Sequence, residues 1–139
     1  MRPQTPALTV DIIIELADRP GRPIVLIERR HPPPGWAIPG GFVDLGETVE
    51  QAARREALEE TALEVRLLRL LGVYSDPARD PRGHTVSLVY VAEGRGEPEG
   101  RDDARRAAVF DLAKLPRPLA FDHAQILADY RATREPQLR

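Results

Sequence analysis

Glu56, Glu59 and Glu60 stand at i, i+3 and i+4, with Glu47 and Arg55 before them and the pair Gly40–Gly41 earlier still. Carboxylates at that spacing share one side of a helix, where like charges repel. With Glu56 set to zero and 100° per residue, Val49, Ala52, Ala53 and Leu63 fall within about 60° of it. Glu59 and Glu60 fall near −60° and 40° on the same wheel. The acids therefore project from the stripe that the apolar residues mark as inward. A merely solvated helix would carry its acids on the opposite side. Burying three carboxylates unpaired is costly, so something positive has to meet them. Arg55 lies about 100° round the wheel and is expected to reach only the margin of the cluster. A hard divalent cation suits better: Mg²⁺, with Mn²⁺ as its substitute, favours carboxylate oxygens and often shares its shell with phosphates. The glycine pair lets backbone approach a ligand closely. Glu47, beside the helix N-terminus, is placed to accept a hydrogen bond from Arg55 and to interact favourably with the helix dipole.

The elements that must position these groups follow from the pattern around them. Thr48 and Gln51 form a capping-box pair, which starts the helix there. Before it, 7–16 and 24–30 are β-branched runs read as strands about the turn 18–23. The stretch 31–41 holds four prolines and three glycines and is read as a shaped loop without regular structure. After the helix come a strand at 64–75, a polar loop at 76–84 and a strand at 85–93. A charged, flexible stretch at 94–104, a short strand at 106–112 and a helix at 121–135 complete the chain. These elements suggest one α+β domain, a mixed sheet with helices packed on it.

Composition narrows the partners. The 139 residues include no Cys, which removes disulfides, thiolate metal sites and a cysteine nucleophile. A net charge of −2 gives no reason to expect nucleic acid. No apolar run approaches the ~20 residues that cross a bilayer, and the N-terminus lacks a signal-peptide pattern, so a cytoplasmic location is the default expectation.

The stretch from Gly41 to Leu63 resembles the signature of the Nudix hydrolases, G-x5-E-x7-R-E-U-x-E-E-x-G-U with U a bulky aliphatic. Gly41, Glu47, Arg55, Glu56, Glu59, Glu60 and Leu63 fill their places. Ala57 stands at the first aliphatic place and Ala62 replaces the glycine near the helix end. The resemblance implies a Nudix α/β/α sandwich over 1–139 and Mg²⁺-assisted hydrolysis of a nucleoside diphosphate linked to another group. It implies metal binding by Glu56, Glu59 and Glu60, with the Gly40 carbonyl completing a shell. Two groups stand as the general base, Glu59 on the helix and Asp103 in "GRDDARRAAVF", which resembles a mobile loop of ADP-ribose pyrophosphatases in this family.

A second resemblance narrows the substrate. "VYSDPARDPRGHTVSLVY" (73–90) and "PLAFDHAQIL" (118–127) look like segments of the same subgroup. Arg29, Arg79 and Arg82 are the implied holders of phosphate or ribose oxygens, through forked hydrogen bonds. ADP-ribose, cleaved to AMP and ribose 5-phosphate, is the implied substrate. Sanitising hydrolysis of modified nucleoside triphosphates and non-catalytic sensing of ADP-ribose are the alternatives. Related enzymes often build the nucleotide pocket across two chains, so the resemblance also implies a homodimer. His84 and His123 are read as hydrogen-bonded structural groups, and Trp36 as packing for the proline loop.

Overall fold

A computed structural model describes residues 3–134. Its strands are β1 (Ala7–Leu16), β2 (Ile24–Arg29), β3 (Trp36–Ala37), β4 (Gly40–Phe42), β5 (Arg66–Tyr74), β6 (Thr85–Gly94) and β7 (Ala104–Phe110). The helices are α1 (Val49–Thr61) and α2 (His123–Arg134), with a 3₁₀ turn at Leu112–Lys114. All seven strands join one sheet in the order β3-β2-β1-β6-β5, with β4 also on β1 and β7 also on β2. The long pairing is β1 with β6, parallel from Ala7↔Thr85 to Leu16↔Gly94, and the other pairings are antiparallel. The sheet is therefore mixed, as expected.

Strand β1 runs through the middle and is covered on both sides: Val10, Ile12, Ile14 and Leu16 make one apolar face, while the other carries buried Thr9, Asp11 and Glu15 beside Ile13. Val10, Ile12, Ile14 and Leu16 pack towards Ala52, Ala53 and Ala57 of α1. Ile13, with Ile24 and Leu26 of β2, packs towards Ile126, Leu127 and Tyr130 of α2. Ile12, Ile13 and Ile14 are fully buried, each stabilising the fold by about 1.5–3 kcal/mol. The small alanines of α1 let the helix lie close, so the acids on the same stripe are carried down beside the sheet.

Helix α1 begins as its sequence says. Thr48 accepts from the Gln51 amide at 3.1 Å, and the Gln51 side chain accepts from the Thr48 amide at 2.9 Å. Its end is less comfortable. Ala62 takes a left-handed conformation, φ 63°, where a glycine would sit without strain. Strand β5 then starts at Arg66.

Three expectations need correction. The proline-rich loop is not wholly irregular: β3 pairs with β2, and β4 pairs with β1. Prolines 32–34 lack amide donors, but Trp36, Ala37 and Gly40 to Phe42 have them and find partners. The strand expected at 106–112 starts two residues earlier, because a bulge in β7 at Arg105, opposite Glu28 and Arg29, keeps Ala104 paired with Arg29. The 94–104 stretch is tied down near its end, where the Glu99 amide donates to the Thr61 carbonyl at 2.8 Å and the Arg101 amide to that of Glu60 at 3.3 Å. Position 135, expected in the last helix, lies outside the described residues. No helix among the described residues is long and apolar enough to cross a membrane.

Candidate functional site

The acids of α1 meet the Gly40–Gly41 strand directly. A Cβ on Gly41 would fall 2.6 Å from the carboxyl of Glu56, which would have to swing aside, and one on Gly40 would run into the backbone of Val10 and Asp11. Glu60 is buried, and its Oε1 accepts the Gly40 amide at 2.8 Å. Burial raises the Glu60 carboxyl to about 8, against that amide bond, with Glu56, Asp11 and Asp103 adding like charge. Burial also raises Glu56, opposed by Arg55. Two carboxyl groups that resist ionisation in one place mark a site short of positive charge.

Arg55 supplies more of that charge than its place on the wheel implied. Its Nε and Nη2 fork onto Glu47 at 2.6 and 2.8 Å, and Nη1 donates to Glu56 at 2.7 Å and to Glu59 at 3.2 Å. Nη2 also reaches the Phe42 carbonyl at 3.0 Å. The expectation that Arg55 touches only the margin is thus wrong, because its long side chain spans what a Cα angle does not. Glu47 is held at about 2, first by Arg55 and then by the Asp44 amide. Arg55 itself is raised, chiefly by Glu47.

The donors present suit a hard divalent cation: carboxylate oxygens, with the Gly40–Gly41 backbone close beside them. Among the described residues, no three acidic or histidine side chains converge tightly enough to grip an ion as they stand. Glu56 and Glu59 lean to Arg55 and Glu60 to Gly40, so an ion here would share the carboxylates with those donors.

Asp103 and two of the three expected substrate arginines face the same space. A cleft of about 330 Å³ is lined by Glu56, Glu60 and Gly41 together with Arg29, Arg82 and Asp103. Glu59 is not on its wall. Asp103 is not freely swinging: its carbonyl accepts the Arg30 amide at 3.2 Å, and its carboxylate lies 3.6 Å from His31 Nε2. Arg29 donates to the Pro33 carbonyl at 2.7 Å. Arg82 is held by Asp80, Nη2 to Oδ2 at 2.8 Å.

Arg79 is placed differently. It is buried, forks onto Asp122 at 2.9 and 2.7 Å, and donates to Thr85 at 2.8 Å. Its side chain borders a smaller polar pocket that adjoins the cleft, floored by Asp11, Thr9 and His123. His123 is buried, its Nδ1 accepts the Ile38 amide at 3.0 Å, and burial lowers its ring so that it stays neutral. His84 faces the Ser75 carbonyl at 3.0 Å. Trp36 packs edge-on against Phe110, centroids 5.0 Å apart.

Sequence reading missed Phe42 and Phe121, whose rings border the smaller pocket and carry the Arg82 guanidinium near them. Phe42 had a signal, an exposed aromatic directly after the glycine pair. Phe121 lay within the quoted 118–127 segment, but nothing in its spacing tells that this later loop returns to the cleft.

A family model described as NUDIX domain matches residues 5–130. The chain is 50% identical over 128 residues to an ADP-ribose pyrophosphatase of Methanocaldococcus jannaschii, covering 90% of this chain and 73% of that protein. It is 37% identical over 92 residues to the ADPR responsive transcriptional repressor NtrR of Acinetobacter baylyi, covering 63% of this chain and only 37% of that longer protein. The solved NUDIX domain of Shewanella oneidensis NrtR, complexed with ADP ribose, matches with a TM-score of 0.80 at 28% identity, over 94% of this chain and 89% of that one.

Proposed function

The chain belongs to the NUDIX family, and on that premise we propose that it hydrolyses ADP-ribose to AMP and ribose 5-phosphate. One observation carries the reading: charge-starved carboxyl groups and the guanidinium groups of Arg29 and Arg82 wall a single cleft. A diphosphate entering it meets two guanidinium groups and a seat for further cations. The similarity to the archaeal ADP-ribose pyrophosphatase supports ADP-ribose as the substrate.

A divalent ion, Mg²⁺ with Mn²⁺ as substitute, would be held by Glu56, Glu59, Glu60 and the Gly40 carbonyl, and when bound neutralises the diphosphate and acidifies a water. The chain's own groups do the rest. Glu47 anchors Arg55, and Arg55 in turn fixes the carboxylates of Glu56 and Glu59. Arg29 and Arg82 take phosphate oxygens. The proton released by the attacking water passes to a carboxylate, either Glu59 or Asp103. Asp103 is the better placed, because it lines the cleft while Glu59 is engaged by Arg55. Arg79 serves at one remove, as the buried post that fixes the 76–84 loop on Asp122. The reading takes 1–139 as one domain acting as a cytoplasmic homodimer.

The test is product analysis with Mg²⁺ for wild type, Glu59→Gln and Glu60→Gln. AMP and ribose 5-phosphate from wild type, with turnover lowered by roughly 10²-fold or more in the variants, is the expected result. Pyrophosphate released from a nucleoside triphosphate in preference would overturn the substrate. Equally slow turnover by all three proteins would leave a sensor.

A further inference from the structure

Phe121 has a backbone that its side chain does not favour. Its φ is 55°, a left-handed conformation uncommon for a bulky aromatic residue. The chain on either side enforces it. The Trp36 amide donates to the Pro118 carbonyl at 2.9 Å, the Ala120 amide donates to the Trp36 carbonyl at 2.8 Å, and the His123 amide returns to Ala120 at 3.1 Å. Residue 121 is therefore a forced corner between the strand-like 118–120 segment and α2. Strain held in place by its surroundings is common where a side chain has to be aimed.

The ring is aimed between two cations. The Arg29 guanidinium carbon lies 4.7 Å from the ring centroid and that of Arg82 lies 5.2 Å from it. These guanidinium groups repel one another: burial and then Arg82 push Arg29 below its ordinary range. Arg82 is paired with Asp80, whereas the Arg29 side chain donates to the Pro33 carbonyl and to no carboxylate. An aromatic face attracts cations without neutralising them, so the ring can gather two guanidinium groups and leave the charge of Arg29, with the edge of Arg82 that Asp80 does not hold, available to an anion.

We infer that Phe121 is a positioning residue that gathers Arg29 and Arg82 into a two-pronged clamp for the adjacent phosphates of the substrate. The inference rests on the reading of the cleft as a diphosphate site. It distinguishes diphosphates from monophosphates, because one phosphate engages one prong fully and two phosphates engage both.

The test compares wild type with Phe121→Leu, Phe121→Asn and Phe121→Tyr by calorimetry with ADP and with AMP in EDTA, alongside ADP-ribose kinetics with Mg²⁺. Asn tolerates left-handed backbone, so Phe121→Asn removes the ring without adding strain and reports even if Phe121→Leu fails to fold. Loss of two cation–π contacts is expected to weaken ADP binding and raise KM roughly 5- to 30-fold, with AMP affinity and kcat within about twofold of wild type. Phe121→Tyr restores both. Equal losses for AMP and ADP would overturn the clamp and show either a ring that stacks on the base or a merely structural one. Unchanged ADP binding without the ring would overturn the clamp alone. Failure of wild type to bind either nucleotide would sink the diphosphate reading, and the clamp with it.

Discussion

A Glu60→Gln substitution is expected to stabilise the metal-free protein while disabling it. Gln keeps an acceptor for the Gly40 amide but removes a carboxyl whose ionisation burial opposes. The unfolded carboxyl ionises near 4.5 and the folded one near 8. Below pH 4.5 both states hold the proton. Between these values only the folded state holds it, so the stability of wild type falls as pH rises through that window. At pH 7 the gap spans roughly 2.5 units at about 1.4 kcal/mol each, or about 3.5 kcal/mol. For a chain of this size that corresponds to a Tm about 10 °C higher for the variant. Thermal unfolding in EDTA at pH 5, 7 and 8 measures it. The difference is expected to be under about 1 kcal/mol at pH 5 and to grow with each pH step. Adding Mg²⁺ narrows it, because an ion that binds the wild-type carboxylate stabilises the folded state. A variant no more stable than wild type at pH 8, or a gap that does not widen from pH 5, would refute the claim that Glu60 is a desolvated acid awaiting a cation.

Ala62→Gly should stabilise the protein by about 0.5–1 kcal/mol in urea unfolding, since glycine accepts the left-handed exit of α1 without strain. Arg79→Leu should cost about 3–5 kcal/mol in the same assay by stranding Asp122. Arg29→Gln should cost only about 1 kcal/mol of stability yet raise KM for ADP-ribose roughly tenfold or more, as its guanidinium has one carbonyl partner, the Phe121 ring and no carboxylate.

How far these features could be read from sequence depended on how local their causes are. The start of α1 was legible because Thr48 and Gln51 cap it within one turn. The inward acids were legible because helix period alone puts them beside Ala52 and Ala53. Arg55 was misjudged because a Cα angle omits the reach of a flexible side chain. Arg79 and Arg82 are three residues apart in one loop, and spacing makes them equivalents. What separates them is Asp122, 43 residues later in sequence, which draws Arg79 into the interior. The short strands β3 and β4 hide among prolines because their partners lie in β2 and β1, and pairing at a distance leaves no local trace. Phe121 is the extreme case, since its corner exists only because Trp36 grips the residues before it.

The two amide bonds from Glu99 and Arg101 onto the last carbonyls of α1 have a consequence for how this connector can change. Length can be added among the exposed residues Arg95, Gly96 and Glu97 at the cost only of the surface bonds from the Gly96 amide to Asp18 and from Arg19 to Glu97. A residue inserted after Glu99 would instead slide Asp103 out of step with Arg30 and uncap the helix that carries the acids. Variation in this family member is thus channelled: the outer part of the connector is held by surface bonds alone, while its later part is geared to the catalytic wall.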